Sequence, residues 1–148
     1  CAAIASAMVD VWHADAEGLY SAFPGQGDRR NIDTSSERFL RGIQTTDSTG
    51  TATFKSIYPG WYPGRTTHVH FKIHFNNNTY VTSQFIFPDA VSSTVYNNGL
   101  YATRGDKDTP NASDMVSRQA ESPSNVEARV QKQGNTYVAK LVVGIVVS

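Results

Sequence analysis

The sequence has a single cysteine, no net charge and no long apolar run, and each of these shortages excludes a class of protein. Cys1 is the only cysteine among the 148 residues, so the chain cannot form an internal disulfide framework. Thirteen basic residues balance thirteen acidic ones, and no basic patch that would bind nucleic acid stands out. No apolar run reaches the ~18 residues that a transmembrane helix needs. We therefore expect a protein that binds neither nucleic acid nor a membrane.

The length is that of a single domain spanning residues 1–148, large enough to bury a hydrophobic core. Because the chain starts on cysteine and not on methionine, we expect that a signal peptide has been removed. Asn-x-Ser/Thr triplets begin at Asn77 and Asn111, each in a polar segment. Together these features predict an extracellular, secreted protein.

The chain has the pattern of an all-β protein. Apolar residues alternate with polar ones in several short stretches, and no stretch shows a long 3.6-residue period. The predicted strands span residues 7–14, 38–45, 51–58, 67–75 and 80–87, followed by a terminal hairpin in residues 126–148 that turns at KQGN. One short helix is predicted in residues 89–97. This pattern predicts a two-layer β-sandwich of mostly antiparallel strands with long irregular loops.

Two long segments, residues 21–37 and 97–123, are rich in Gly, Ser, Asn and charge. They are too long to serve as plain connections between strands. Loops of this kind commonly carry binding and catalytic residues on a rigid scaffold. We expect both segments to form the walls or the rim of a site.

The stretch YPGWYPGRTTHVHF, residues 58–71, ends in a pair of histidines two positions apart. In a strand, His68 and His70 leave the same face of the sheet and can bind one metal ion. His74 continues that face, so a zinc site of His68, His70 and His74 is one hypothesis, for a hydrolase or hydratase. The simpler interpretation is a strand with half-exposed histidines that bind nothing.

Two tyrosines and an arginine accompany these histidines. Tyr62 lies in a loop bounded by Pro and Gly six residues before His68, and Tyr20 follows a turn after the first predicted strand. Arg65 carries a fixed positive charge suited to an anionic ligand. Taken singly, the tyrosines are ordinary turn residues and Arg65 is a solvated charge. Taken together, two phenolates and two imidazoles favour Fe(III) over Zn(II) or Cu(I).

Ordered motifs along the chain resemble those of one enzyme family. The motifs are VDVWHADAEGLYS, FLRGIQTTDSTGTATFKSIYPGWYP, GRTTHVHFKI and VTSQFIFPD, followed by YATRGDKDTPNASD. In order and spacing they are similar to the intradiol ring-cleavage dioxygenases of the catechol and protocatechuate type, especially the smaller secreted members. The resemblance covers most of residues 7–114, and the last thirty or so residues resemble the family only in being strands.

The resemblance implies a ligand set and two residues that face the substrate. The implied ligands of Fe(III) are Tyr20, Tyr62, His68 and His70. Tyr62 matches the tyrosine that leaves the metal when substrate binds. Arg65 and Gln84 match the family's arginine and polar residue in the substrate pocket. The resemblance assigns no ligand role to His13, which we interpret as a packed or supporting histidine, or to His74; Trp12 and Phe54 are interpreted as core residues.

The implied function is non-haem Fe(III)-dependent intradiol cleavage of catechol-type compounds by O2, giving cis,cis-muconic acid-type products. The family pattern Arg-Pro-Ala-His-Ile-His is changed here, because Thr66 stands where the pattern has proline. The chain also lacks the helical extension that dimerises the larger catechol enzymes, so we expect a monomer. Two other hypotheses are the zinc site above and a non-catalytic β-sandwich binding module that uses the aromatic residues of YPGWYP.

Overall fold

The β-strands of the described residues form two antiparallel sheets. The computed structural model describes residues 2–27 and 31–147, so Cys1 and a part of the irregular segment 21–37 lie outside the described residues. The larger sheet has four strands: β1 (Met8–Trp12), β2 (Arg41–Thr45), β3 (His68–Phe75) and β4 (Asn78–Ile86). Their order across the sheet is β2-β1-β3-β4, and every neighbouring pair is antiparallel.

The smaller sheet is the predicted terminal hairpin. It pairs β5 (Arg129–Gln133) with β6 (Thr136–Lys140) through a two-residue turn at Gly134 and Asn135. One α-helix, α1 (Asp89–Tyr96), follows β4 where the sequence predicts it. The segment between α1 and β5 contains four 3-10 helices, at Gly99–Thr103, Asn111–Ser113, Ser117–Gln119 and Pro123–Asn125. Among the described helices, none has the length and apolar character needed to cross a bilayer.

A tight turn and a register shift shape the β3–β4 hairpin. Asn76 and Asn77 connect the strands with φ values of 47° and 62°, as a two-residue type I′ turn requires. Asparagine tolerates this left-handed backbone better than most residues, which explains the polar NNN sequence at this point. Shortly before the turn, between Ile73 and His74, the register shifts as in a β-bulge. The bulge separates His74 from the regular part of the ladder.

The two faces of the four-stranded sheet have different surroundings. Val11 pairs with Phe71 on one face, and this face joins a hydrophobic cluster built around Ala7, Phe71 and Ile73. Partly buried apolar residues of β4 and of the C-terminal segment cover it, among them Val81, Phe85, Leu141, Val143 and Ile145. The other face carries Trp12, His70 and Gln84 in one row across β1, β3 and β4. This second face is the floor of the site described below.

The all-β prediction is confirmed, but the strand predicted for residues 51–58 is wrong. Ala52, Phe54 and Tyr58 are half-buried, as the alternation predicts, but Ser56 is exposed and residues 51–58 join no β-ladder. Side chains anchor the segment instead: the Tyr58 hydroxyl lies 2.9 Å from Ser92 Oγ. Alternation reports which residues face the protein, and it cannot report whether a neighbouring strand is present to accept the backbone hydrogen bonds.

Candidate metal centre

Two tyrosine hydroxyls and one imidazole nitrogen converge at the start of β3. The hydroxyl oxygens of Tyr20 and Tyr62 lie 2.9 Å and 3.1 Å from His68 Nε2. His68 Nδ1 lies 2.6 Å from the carbonyl oxygen of Thr66, so Nδ1 carries the proton and Nε2 presents its lone pair to both phenols. The His70 ring stands at 86° to the His68 ring, with the ring centroids 4.8 Å apart. The four predicted ligands therefore lie together.

The loop after β1 holds Tyr20 by its backbone. Gln26 Oε1 accepts the Tyr20 N–H at 2.7 Å, while Gln26 Nε2 and Thr34 Oγ1 both donate to the Tyr20 carbonyl oxygen at 2.6 and 2.5 Å. Phe23 packs edge-on against the Tyr20 ring, with the centroids 6.1 Å apart. In its described residues, the irregular segment 21–37 therefore forms a wall of the site, as predicted.

The two loops that carry the tyrosines pack against each other through glycines. Gly60 N–H donates to the Asp15 carbonyl oxygen at 2.8 Å, and a Cβ added at Gly60 would lie 2.3 Å from that oxygen. A Cβ added at Gly18, whose φ is +81°, would lie 2.2 Å from the carbonyl oxygen of Trp61. Only glycine permits such close backbone approach. The packing fixes the two phenols relative to each other.

Burial sets the protonation of the histidines and of one tyrosine. Burial lowers the pKa of His68 to about 3 and that of His70 to about 4, and the positive charge of Arg65 adds to both shifts. Both imidazoles are therefore neutral near pH 7, which is the form that binds a metal ion. Burial raises the pKa of the Tyr20 phenol, which ionises most readily beside a compensating positive charge.

Two buried nitrogen donors beside these four residues have no hydrogen-bond partner among the described residues. One is Gln84 Nε2, on a side chain that is 5% exposed and stands opposite His70 in the β3–β4 ladder. The other is Arg65 Nη2, while Nη1 of the same guanidinium lies 3.5 Å from the Tyr62 hydroxyl oxygen. Buried donors normally have a hydrogen-bond partner, so a bound ligand is the partner that we expect for both of these nitrogens.

Two residues at the site were missed by the sequence interpretation. Trp12 is half-buried and stacks on His70, with the ring planes 4° apart and the centroids 5.0 Å apart, so assigning Trp12 to the hydrophobic core was wrong. Asp114 pairs with Arg65 from 49 positions away. The alternation of side chains along β-strands could have placed Trp12 beside a histidine only if the neighbouring strand had been known. Asp114 had no local signal beyond ending the last family-like motif.

His74 does not join the site. Four residues of strand place it about 13 Å beyond His70, and its Nδ1 lies 2.8 Å from Thr79 Oγ1. In the described part of the chain, no group of three or more His, Cys, Asp or Glu side chains is arranged to hold a metal ion. The zinc site of His68, His70 and His74 is therefore wrong.

His13 is the packed histidine that the sequence predicts. It is buried, with Nδ1 2.7 Å from the carbonyl oxygen of Ala14 and Nε2 2.7 Å from Ser56 Oγ. Both ring nitrogens are occupied by these contacts. His13 therefore links the end of β1 to the segment 51–58 and has no nitrogen left for a metal ion.

The four converging side chains suit a metal ion that prefers oxygen and nitrogen donors. The set contains two phenol oxygens and two neutral imidazoles, without thiolate or thioether sulfur. Such hard and borderline donors suit a highly charged ion better than a soft one such as Cu(I). The two phenols and His68 Nε2 already point at one another, so a cation would replace the protons that now lie between them.

Comparison with known proteins identifies relatives whose match includes the four-stranded sheet and the four converging side chains. A family model described as Dioxygenase matches residues 2–106. Catechol 1,2-dioxygenase 1 of Acinetobacter lwoffii is 26% identical over an alignment of 119 residues, which covers 68% of this chain. The chain spans only 36% of the length of that curated relative.

Solved structures of similar proteins agree with the family match. An intradiol ring-cleavage dioxygenase from Tetranychus urticae is 29% identical, with a TM-score of 0.86 over 98% of this chain and 73% of that chain. A second similar structure is the dioxygenase domain of a dioxygenase–carbohydrate-binding fusion protein from Streptomyces sp. SirexAA-E, with 24% identity and a TM-score of 0.56. The match covers 92% of this chain and 65% of that domain's chain. At that identity the second likeness concerns the fold alone.

Proposed function

The chain belongs to the intradiol ring-cleavage dioxygenase family, and we propose that it cleaves catechol-type aromatic compounds with O2 at a non-haem Fe(III) centre. The bond that breaks joins the two hydroxylated ring carbons, both atoms of O2 enter the product, and the product is a cis,cis-muconic acid-type dicarboxylate. The family match over residues 2–106 supports the reaction class.

One observation carries this proposal: the hydroxyl oxygens of Tyr20 and Tyr62 meet His68 Nε2 within 3.1 Å, beside the His70 ring. We propose these four side chains as the ligands of Fe(III). The chemistry that Fe(III) supplies when bound is Lewis acidity, which lowers the pKa of bound hydroxyl groups. The two neutral imidazoles and the two phenols suit that ion better than zinc.

The residues around this set have separable roles. Tyr62 is the proposed ligand that makes way for substrate and takes a catechol proton at its hydroxyl oxygen. Arg65 Nη2 is buried, has no hydrogen-bond partner among the described residues, and would stabilise negative charge on the bound ring. Gln84 Nε2, beside His70, is a second donor without a partner in that part of the chain. Trp12 stacks on His70 and restrains the rotation of its ring.

We also propose that the protein acts outside the cell and as a monomer. Of the two glycosylation triplets, only that of Asn77 is accessible, in the exposed β3–β4 turn. Asn111 is 7% exposed, and its amide nitrogen donates to the Phe87 carbonyl oxygen at 2.8 Å and to Glu127 Oε2 at 2.9 Å. We therefore expect a single glycan, on Asn77, when the chain is secreted from eukaryotic cells.

The experiment that tests the function is a visible absorption spectrum of the iron-loaded protein, before and after catechol is added under argon. Phenolate bound to Fe(III) gives a charge-transfer band, and we expect this band to shift when catechol is added. Admitting O2 should then consume catechol and yield a muconic acid-type product. An iron-loaded protein that is colourless and whose spectrum does not change when catechol is added would contradict the proposal and favour a non-catalytic binding module.

A further inference from the structure

Arg65 is held by a carboxylate that is completely buried. Arg65 Nε donates to Asp114 Oδ2 at 2.8 Å, and the Asp114 side chain is 0% exposed. Removing a carboxylate from water is costly unless charge and hydrogen bonds compensate it. The other hydrogen bonds of Asp114 therefore determine how firmly the Arg65–Asp114 ion pair is held in place.

Both oxygens of Asp114 are saturated by donors that fix the carboxylate plane. Oδ2 accepts the Thr66 backbone N–H at 3.0 Å in addition to Arg65. Oδ1 accepts the backbone N–H groups of Val116 and Ser117 at 2.9 and 3.0 Å. Burial opposes ionisation, but the hydrogen bonds from Arg65, Ser117 and Thr66 outweigh it and hold the pKa of Asp114 at about 2. A carboxylate held at four points cannot turn to follow a mobile arginine.

The pairing leaves the far side of the guanidinium directed at the site. Asp114 engages Nε, so the terminal nitrogens remain for other partners. Nη1 lies 3.5 Å from the Tyr62 hydroxyl oxygen, and Nη2 is buried without a partner among the described residues. A guanidinium without Asp114 would have several rotamers that turn these donors away from Tyr62.

The same carboxylate also connects to His68 through one residue, Thr66. Thr66, which is 1% exposed, donates its N–H to Asp114 and accepts the His68 Nδ1 proton at its carbonyl oxygen, 2.6 Å away. A proline at this position, as in the related motif, would have no N–H to donate. In this chain a hydrogen bond to Asp114 therefore restrains a segment that a proline ring would otherwise stiffen.

We infer that Asp114 is a positioning residue of the dioxygenase site, which aims the Arg65 guanidinium at the substrate position. The inference rests on the proposed function. Asp114 does not touch the reacting atoms; it acts through Arg65.

The first test is a double-mutant cycle on kcat, with Asp114→Asn and Arg65→Ala singly and together in the iron-loaded protein. Misaiming a donor lowers kcat by about a hundredfold, so we expect a loss of that size for Asp114→Asn with iron content retained. In the Arg65→Ala background the same change should lower kcat by no more than about twofold. Equal losses in both backgrounds would overturn the inference, because they would mean that Asp114 acts independently of Arg65.

The matched control is Asp89→Asn. Asp89 forms a neighbouring ion pair, with Lys107, and is half-exposed. We expect its kcat to stay within about twofold of wild type. If Asp114→Asn does not fold, Arg65→Lys replaces it: lysine keeps the charge beside Asp114 but lacks the second set of donors, so kcat should fall. Full activity in Arg65→Lys would overturn the inference.

A second readout needs neither metal nor turnover. In ¹⁵N-labelled, metal-free protein, the Arg65 Nε–H resonance should exchange slowly with water and should broaden or vanish in Asp114→Asn; Arg65→Lys assigns it. Equally fast exchange in wild type and variant would overturn the inference. A wild-type protein that turns over no catechol, yet keeps this contrast, would contradict the proposed function and leave the positioning of Arg65 supported.

Discussion

The two faces of the four-stranded sheet use the same strand for opposite purposes. On one face, Phe71 and Ile73 of β3 pack into an apolar cluster covered by the segment 141–145. On the other, His68 and His70 stand under loops that hold them with hydrogen bonds and aromatic contacts. The core face tolerates changes of shape at a modest cost in stability, whereas the site face depends on the position of single atoms.

The largest effect should come from removing a ligand on the site face. His68→Ala deletes the imidazole at which both phenols meet, so the protein should lose most of its iron and its turnover should fall by a factor of about 10³ or more. Metal analysis and O2 uptake measure both. His74→Ala, on the same strand beyond the register shift, is the control and should keep its iron. If His74→Ala empties the site instead, the ligand assignment is wrong.

A change at the contact between the two tyrosine-bearing loops should have nearly as large an effect on iron binding. Gly60→Ala places a methyl group 2.3 Å from the Asp15 carbonyl oxygen, and overpacking of this kind costs about 1–3 kcal/mol. Because the clash separates the two phenols, we also expect weaker iron binding. Denaturant unfolding and an iron titration measure the two effects.

Gly144→Ala is the matched change on the segment that covers the core face, where an added Cβ would meet no atom of the described residues within 4 Å. It should leave both the free energy of unfolding and iron binding unchanged. Comparable losses in Gly60→Ala and Gly144→Ala would mean that close loop packing does not define the site.

Acid should weaken the site face through Asp114. Its folded pKa of about 2 lies below the ordinary value of 3.8, so its stabilisation is complete above pH 4 or so and is lost as the pH falls towards 2. Between these limits the free energy of unfolding of the metal-free protein should fall more steeply in wild type than in Asp114→Asn. Parallel pH profiles from urea unfolding would show that Asp114 is not stabilised by its partners.

The smallest effect is expected from trimming the core face. Ile73→Val removes one methylene group from a buried site and should lower the free energy of unfolding by about 0.5–1.5 kcal/mol. Iron content and turnover should remain those of wild type, because the side chain points away from the histidines. A loss of iron in this variant would mean that the two faces are coupled through the backbone of β3.

Much of the fold could be predicted from local patterns. Strands β1 to β4, the short helix and the turn of the terminal hairpin lie within a few residues of their predicted positions, whereas the hairpin predicted to residue 148 ends at Lys140, and residues 141–147 join no strand. The segment 51–58 shows the limit: its alternation is real, but its backbone has no partner strand in the described structure. A ladder needs two segments, and the pattern of one segment carries no information about the other.

The candidate site divides in the same way. Neighbouring residues predict that His68 and His70 share a face, and ordered motifs predict which tyrosines accompany them; the structure brings these four together, while their role as ligands stays a prediction. Spacing left His74 open, and the register shift removes it. The stacking of Trp12 on His70 depends on which strands become neighbours.

Residue type, period and motif order are properties of neighbouring positions, so they could be interpreted before any fold was known. They predicted an all-β chain with two histidines, two phenols and an arginine suited to one metal centre. The partner of that arginine could not be predicted in this way. Asp114 meets Arg65 across 49 positions, after α1 and two 3-10 helical segments have brought the chain back to the site. Its carboxylate is stabilised by backbone N–H groups whose directions exist only in the folded chain, which is why Asp114 became visible through three-dimensional packing and not through sequence.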